Sequence, residues 1–319
     1  MILKVNQNNI INIVSGGAGF LGSHLIDRLM KKGESVICID NFLTGDLKNI
    51  SKWLNHSNFS LINHNLINSI DIKGDKIWHL ASPASPSQYQ LNPINTSKTI
   101  ILGSLNMLEL ARKLKSKILL ASSSEIYGNP TLHPQIESYF GNVNPNSLKS
   151  CYREGKRMAE TLFTDFSRIY DIEIRIARIF NTYGPRMKIN DGRVVSNFIV
   201  QGLTNKNLTI FGDGSQTRSF CYVDDLVKGL MCLMDGDLNT PVNLGNFHEI
   251  KILDLAFLIS EKLNKKLDFE FTELPDDEPI KRKPSIKLAN IELNWKPIIS
   301  LDHGLDNTIR YYKSLLNEV

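Results

Sequence analysis

The sequence predicts an α/β fold, a doubly wound parallel sheet joined to a smaller mixed α/β lobe. Three observations carry this. From residue 10 to residue 178, short apolar runs alternate with helical patterns, the rhythm of right-handed strand–helix–strand crossovers that build parallel sheets. A glycine cluster, Gly16-Gly17-Ala18-Gly19-Phe20-Leu21-Gly22, stands between the first apolar run and the first helical pattern. After Asn181 the rhythm breaks, and residues 182–193 are rich in Gly, Pro, Asn and charge, the composition of a loop.

Residues 10–14 read as a buried strand. Residues 24–32 follow as a helix with Leu25, Leu29 and Met30 on one side, closed by Gly33. Strands are predicted at 35–40, 76–81, 117–122 and 173–178, and helices at 96–114 and 150–170. Beyond residue 181 the elements shorten. Residues 252–263 form an amphipathic helical pattern, 267–271 alternate as a strand does, and 275–284 are polar and proline-bounded, as in a surface loop. The implied division is a first domain of residues 1–182, to which 219–247 return, and a second, substrate-binding domain of 183–218 and 248–319.

Composition narrows the function classes. With 42% apolar and 22% charged residues in 319, the chain is an ordinary globular protein with room for a large core. The net charge of +4 suits a small polyanion, and aromatic residues do not interleave with basic clusters, so no nucleic-acid partner is expected. Cys38, Cys151, Cys221 and Cys232 form no C-x-x-C pair, which fits free thiols in a reducing cytoplasm. No apolar run approaches the roughly 18 residues of a membrane span, and no signal peptide is apparent. The histidines lack ligand spacing, so no metal is expected, and neither a G-x-S-x-G elbow nor a G-x-x-x-x-G-K-[ST] loop occurs.

Gly16, Gly19 and Gly22 give the spacing G-x-x-G-x-x-G. Placed between strand and helix, such glycines permit a tight turn, close approach of backbone to a pyrophosphate, and tight helix–sheet packing. The helix N-terminus supplies unpaired N–H groups and a dipole that favours anions. The second strand ends in Asp40. An acidic side chain there accepts hydrogen bonds from a ribose and repels a 2′-phosphate, so a Rossmann-type domain binding NAD rather than NADP is expected.

Tyr152 and Lys156 are spaced i, i+4 and share a helix face. Such pairs are common on surface helices. This one is set apart by the dinucleotide turn and by Ser122-Ser123-Ser124-Glu125 at the end of the fourth predicted strand, the edge where open parallel sheets bind ligands. A tyrosine beside an ammonium can serve as acid and base, taking a proton from a sugar hydroxyl while Ser123 orients that hydroxyl.

With these residues in place, the chain resembles the extended short-chain dehydrogenase/reductase superfamily over nearly its whole length, and within it the UDP-glucuronate decarboxylases (UDP-xylose synthases). The runs that carry the resemblance are residues 16–24 (GGAGFLGSH), 40–45 (DNFLTG), 79–86 (HLASPASP), 121–128 (ASSSEIYG), 151–160 (CYREGKRMAE), 177–186 (ARIFNTYGPR), 190–199 (NDGRVVSNFI) and 212–218 (GDGSQTR). The resemblance implies a three-step cycle: oxidation at sugar C4 by NAD with Tyr152 as base, loss of carbon dioxide from the resulting β-keto acid, then protonation at C5 and reduction at C4 to give UDP-xylose. It implies catalytic roles for Ser123, Ser124, Glu125, Tyr152, Lys156 and Arg218. The 4,6-dehydratases of the superfamily carry Asp-Glu where this chain has Ser124-Glu125; a neutral serine there avoids repelling a substrate carboxylate. Glu125 would handle a proton at C5 or order a water. Arg218 would pair with the carboxylate, although a guanidinium suits phosphate or a structural partner equally. Alternative readings are a 4-epimerase, a 4,6-dehydratase, a release of the 4-keto pentose, or a non-catalytic NAD-binding regulator.

Further positions follow from the same resemblance. Besides Gly16, Gly19, Phe20, Leu21 and Gly22, the cofactor would meet Asp40, Asn41, Phe42, Thr44 and Gly45 around its adenosine. Leu80, Ser82, Thr99, Tyr152, Lys156, Thr182 and Arg193 would lie along the NAD cleft. Lys98, Asn106, Asn181, Arg218 and Arg282 would approach the substrate, and a homodimer is implied. The chain departs from the family pattern at Arg153 (usually Asp), Asn65, Ile100, Glu109, Lys188 and Ser285, and Glu278 has the look of an insertion. Arg153, as the neighbour of Tyr152, is expected on another helix face with little effect on the reaction.

Overall fold

The computed structural model of the chain describes residues 9–275 and 277–317. Parts of the expected segments at 1–8, 276 and 318–319 lie outside the described residues. Seven strands form the central sheet: β1 Ile11–Ser15, β2 Ser35–Asp40, β3 Phe59–Asn63, β4 Lys76–His79, β5 Lys117–Ser123, β6 Ile174–Ile179 and β7 Pro241–Leu244. All neighbours pair parallel, in the spatial order 3-2-1-4-5-6-7. The order reverses between β1 and β4, and a ligand crevice opens beyond the C-terminal ends of the strands at such a switch point. The central strands are buried on both faces, which explains their continuous apolar runs. β3, which no sequence pattern singled out, is the edge strand and only its Phe59 is fully buried, so its apolar signal is diluted.

Helices cover both faces. α1 Phe20–Lys31 begins four residues before its apolar pattern because the glycine turn itself supplies its first turn. Gly33 ends it at φ +80°, its N–H donating to Met30 O. α2 Pro93–Leu114 also begins early: Pro93 opens it and the Asn92 side chain caps the Asn95 amide. α3 Ser150–Tyr170 matches its predicted span. α2 and α3 approach closely at Gly155, where an added Cβ would stand 3.1 Å from Ile100 Cδ1. Ile100 is therefore a packing residue, and Glu109 pairs with Arg112 on the surface.

One apolar core lies on each face of the sheet. The face holding Ile13, Ile77, Met107 and Phe163 is covered by α2 and α3. The face holding Val14, Leu25 and Trp78 continues without a break into the second lobe, through Phe198, Trp295 and Tyr312. That lobe contributes α4 Val194–Leu203, α6 Ile252–Lys262 and α7 Leu301–Asn317, while α5 Val223–Asp235 packs back on the central sheet. The strand predicted at 267–271 is Phe269–Thr272, paired with Leu208–Phe211. Two expected loops are more ordered than their composition suggests. Thr182–Tyr183 pairs with Cys221–Tyr222. Within the segment 275–284, expected as a surface loop, residues 277–284 are a strap: Lys281–Arg282 pairs parallel with Thr217–Ser219, and Gln135 clamps the strap from the other side through its backbone amide to Lys283 O (2.9 Å). Among the described residues no helix is long and apolar enough to cross a membrane, and no cluster of His, Cys, Asp or Glu could hold a metal ion.

Candidate active site

A cleft of about 720 Å³ runs along the C-terminal ends of the sheet strands and under the second lobe. Its cofactor end is made by backbone. Gly16 sits at φ +71°, its amide donating to Ile39 O (2.8 Å), and an added Cβ would lie 2.8 Å from Ala81 Cα. A Cβ on Gly22 would collide with Gly16 O. Gly19 offers no side-chain cap and the first turn of α1 carries no acidic residue. The first amides of α1 therefore meet the cleft as an anion seat with the width of a bare backbone, which fits a dinucleotide pyrophosphate. Asp40 closes this end, its carboxylate accepting from the amides of Ala18 (2.9 Å) and Phe42 (2.8 Å). Burial raises its pKa, and those amides oppose the rise.

Gly16, Gly19, Phe20, Leu21, Gly22, Asp40, Asn41, Thr44, Leu80, Ser82, Thr99, Thr182 and Arg193 all line the cleft, as do the departures Asn65 and Lys188. Phe42 and Gly45 do not. Phe42, at φ 58°, and Gly45, whose added Cβ would stand 2.9 Å from each Asp40 oxygen, shape the loop around Asp40 instead. Arg193 is tied to Asp191 by a two-nitrogen fork (2.5 and 2.8 Å).

At the centre, Ser123 ends β5 and its Oγ accepts from the Glu125 amide (3.1 Å). Tyr152 stacks on Tyr89, with ring centroids 5.1 Å apart and planes 10° from parallel. Lys156, one turn on, is buried with Nζ donating to Ala121 O (2.8 Å) and lying 5.7 Å from the Tyr152 ring centre. Burial pushes the Tyr152 phenol up to about 12, while a hydrogen bond with Ser123 opposes the rise. Burial brings the Lys156 ammonium down to about 7, against the attraction of Glu160. The phenol therefore carries its proton until a cation nearby draws it off, the behaviour of a group that acts in both directions.

The other end of the cleft is charged. Glu125 Oε2 accepts from Arg153 Nε (2.8 Å), and Oε1 accepts from Arg282 Nη1. Arg153 is fully buried and its remaining nitrogens donate to Asp277, at Oδ2 (2.5 Å) and at the backbone carbonyl (3.2 Å). Arg153 lies on a different helix face from Tyr152, but that face is no bystander to the site: Glu125, from the turn that follows β5, and Asp277, from the strap, both pair with it there. Glu278, the apparent insertion, accepts from Lys149 Nζ (2.5 Å) and pairs with Arg218 Nη2. Burial would raise the Glu125 pKa, but the guanidinium groups of Arg282 and Arg153 override it and hold it at about 2. Ser124, Asn181, Arg218 and Arg282 line this end. The Nε of Arg282 is buried without a hydrogen-bond partner among the described residues, a donor left for an anion.

Lys98 and Asn106, expected at the substrate, are placed elsewhere. Lys98 is exposed on α2 and lines no part of the cleft. Asn106 instead donates to Leu66 O (2.8 Å) and Ile67 O (3.0 Å), because its helix position faces the chain after β3. Ser285 supplies its amide to Gln135 O (2.7 Å), below the strap. Tyr89, Lys149 and Asp277 carried no sequence signal. Each joins the site through contacts between distant segments.

Fold and site together define a dinucleotide-dependent enzyme of the Tyr–Lys type. The model of the NAD dependent epimerase/dehydratase family matches residues 12–245. UDP-glucuronic acid decarboxylase 5 of Arabidopsis thaliana is 52% identical over 303 residues, covering 95% of this chain and 89% of that protein. UDP-glucuronic acid decarboxylase 1 of Xenopus tropicalis is 49% identical over 304 residues, covering 95% and 72%. Among solved structures, the UDP-glucuronic acid 4-epimerase of Bacillus cereus, in complex with UDP-glucuronic acid and NAD, is similar at a TM-score of 0.86 and 29% identity, over 96% of this chain and 100% of that one. The chain belongs to the NAD dependent epimerase/dehydratase family and, within it, to the UDP-glucuronic acid decarboxylases.

Proposed function

We propose that the protein converts UDP-glucuronate to UDP-xylose and carbon dioxide, with NAD as a recycled cofactor. The observation that carries this reading is the junction, in one cleft, of Ser123, Tyr152 and Lys156 with a neutral Ser124 and the arginines 218 and 282, in a chain about half identical to decarboxylases of that substrate. Gly16–Gly22 and Asp40 would hold NAD, and the chemistry it would supply there is reversible hydride acceptance at sugar C4.

The chain's own groups do the rest. Ser123 and Tyr152 hold the C4 hydroxyl, and Tyr152 takes its proton with Lys156 balancing the phenolate. Arg218 and Arg282 hold the anionic parts of the substrate, the carboxylate and the diphosphate. Once C4 is a ketone, the C5 carboxylate is a β-keto acid and leaves as carbon dioxide. Glu125, kept ionised by two guanidinium groups, orders the water that protonates C5. Tyr152 then returns its proton to the C4 oxygen.

The test is product analysis. Incubation with UDP-glucuronate, without added NADH, yields UDP-xylose and carbon dioxide. A 4-epimerised product with all six sugar carbons would overturn the reading in favour of the activity named for the Bacillus cereus neighbour. Release of the 4-keto pentose together with NADH would mark an interrupted cycle. The same reading includes a cytoplasmic homodimer, checked by native mass, with residues 1–182 and 219–247 as the NAD domain and 183–218 and 248–319 as the substrate domain.

A further inference from the structure

Four cations and three carboxylates are locked together at the charged end: Lys149, Arg153, Arg218 and Arg282 against Glu125, Asp277 and Glu278. Arg153 is the hinge of this set. It is the only one of the seven with no exposed side-chain surface, and each of its three guanidinium nitrogens is engaged, Nε by Glu125 and both Nη atoms by Asp277. A buried ion-pair chain of this kind adds little stability over an apolar filling of the same shape. Its place offers another use. Glu125 lines the cleft immediately after Ser123 and Ser124. Each of its oxygens accepts from one arginine, and a carboxylate oxygen has a second lone pair with which it can accept from a ligand.

We propose that Arg153 is a positioning residue for the reaction: it fixes Glu125 as an ionised acceptor facing the sugar, and through Asp277 it ties that carboxylate to the strap at 277–284. The inference rests on the reading given above and adds a residue to it. Arg282 alone grips Glu125 from the strap side. Arg153 adds the grip from α3, the helix that carries Tyr152, so the acceptor and the proton-transferring phenol are referred to one rigid element. The charged and titratable groups around Glu125 are Arg153 and Tyr152 from α3, Arg282 and Arg218 from the small sheet, and Tyr89 from the segment before α2. Without Arg153, burial acts on Glu125 against one guanidinium contact fewer and its pKa rises.

The experiment compares wild type with R153M, R153K, E125Q and the double variant R153M/E125Q. Carbon dioxide release is followed as a function of pH, and NAD and UDP binding are measured separately. In R153M, kcat at neutral pH falls about tenfold while KM changes less than about threefold, as for a group that acts by aligning another. The acid limb of its kcat profile moves to higher pH, and R153K recovers part of the rate and the wild-type limb. In the E125Q background the R153M change costs less than about twofold, because the two act as a unit. An unmoved acid limb, or full additivity of the two substitutions, would overturn the proposal. If R153M fails to fold, R153K and E125Q alone decide: under the proposal R153K keeps the limb near its wild-type position and E125Q abolishes it. Wild-type protein that releases no carbon dioxide refutes the reaction itself, an outcome distinct from either result with the variants.

Discussion

The cofactor end and the charged end of the cleft hold anions by different means. Around Gly16, Gly19 and Gly22 the donors are backbone amides, fixed by one strand–turn–helix unit and left open by missing side chains. Around Glu125 the donors are guanidinium groups drawn from α3 and the small sheet, with partners up to 157 residues apart in the chain. The first arrangement costs no charge and tolerates no added atom. The second carries its own counter-charges, so its strength depends on protonation and on how tightly the strap is held. Tyr152 and Lys156 stand between the two.

Substitutions can break that contrast. The largest effect is expected between the two ends: Tyr152→Phe removes the transferable proton, and carbon dioxide release falls about a thousandfold while UDP binding, measured by calorimetry, persists. Next is the backbone end. Gly22→Ala forces a methyl onto Gly16 O, and NAD binding weakens about a hundredfold, some 3 kcal/mol of overpacking, without a shift in any pH profile. At the charged end, Ser124→Asp places a new carboxylate beside Glu125 and opposite the substrate's own. A loss of about tenfold in kcat/KM for UDP-glucuronate is expected from chromatography of the product, larger at low salt.

The smallest effect sharpens the contrast through stability. The Glu125 carboxyl is depressed from 4.5 to about 2 in the folded protein, so the unfolded chain binds the proton first as pH falls. Its contribution is complete above about 4.5 and is lost on the way down to about 2. Glu125→Gln flattens this part of the acid-unfolding curve by about 1–3 kcal/mol, whereas Gly22→Ala leaves its slope unchanged. Equal slopes in wild type and Glu125→Gln would refute the ion-pair account of this end.

The same contrast governs what could be read from residues alone. The glycine turn, Asp40 and the Tyr152–Lys156 pair are local patterns, and the helix at Ser150–Tyr170 is long enough for its period to speak. The strap is not local. Arg153 meets Asp277 across 124 residues and Glu125 across 28, and neither separation leaves a periodic mark. Placing Arg153 on a different helix face from Tyr152 is sound helix geometry; what the pattern lacked was the second wall against that face. Asn106 shows the converse, since a position on the right helix turned toward Leu66 and Ile67 rather than the cleft. Length alone does not decide legibility: α6, of 11 residues, shows its period, while α5 and α7, of 13 and 17 residues, were not singled out.

Arg282 and Arg218 are partners in register on adjacent parallel strands. The distance between these two cations is therefore set by the backbone ladder, as marks are set on a ruler, rather than by side-chain packing. Side chains alternate along a strand, so sliding the strap by one residue would turn Arg282 outward and present Lys281 or Lys283 in its place. A gain or loss of one residue upstream, where Glu278 sits, has to be absorbed before residue 281 or it rewrites the charge pattern of the cleft with no substitution in the cleft at all. Strap length is thus an inherited variable of recognition in its own right, separate from the identity of any side chain that touches the sugar.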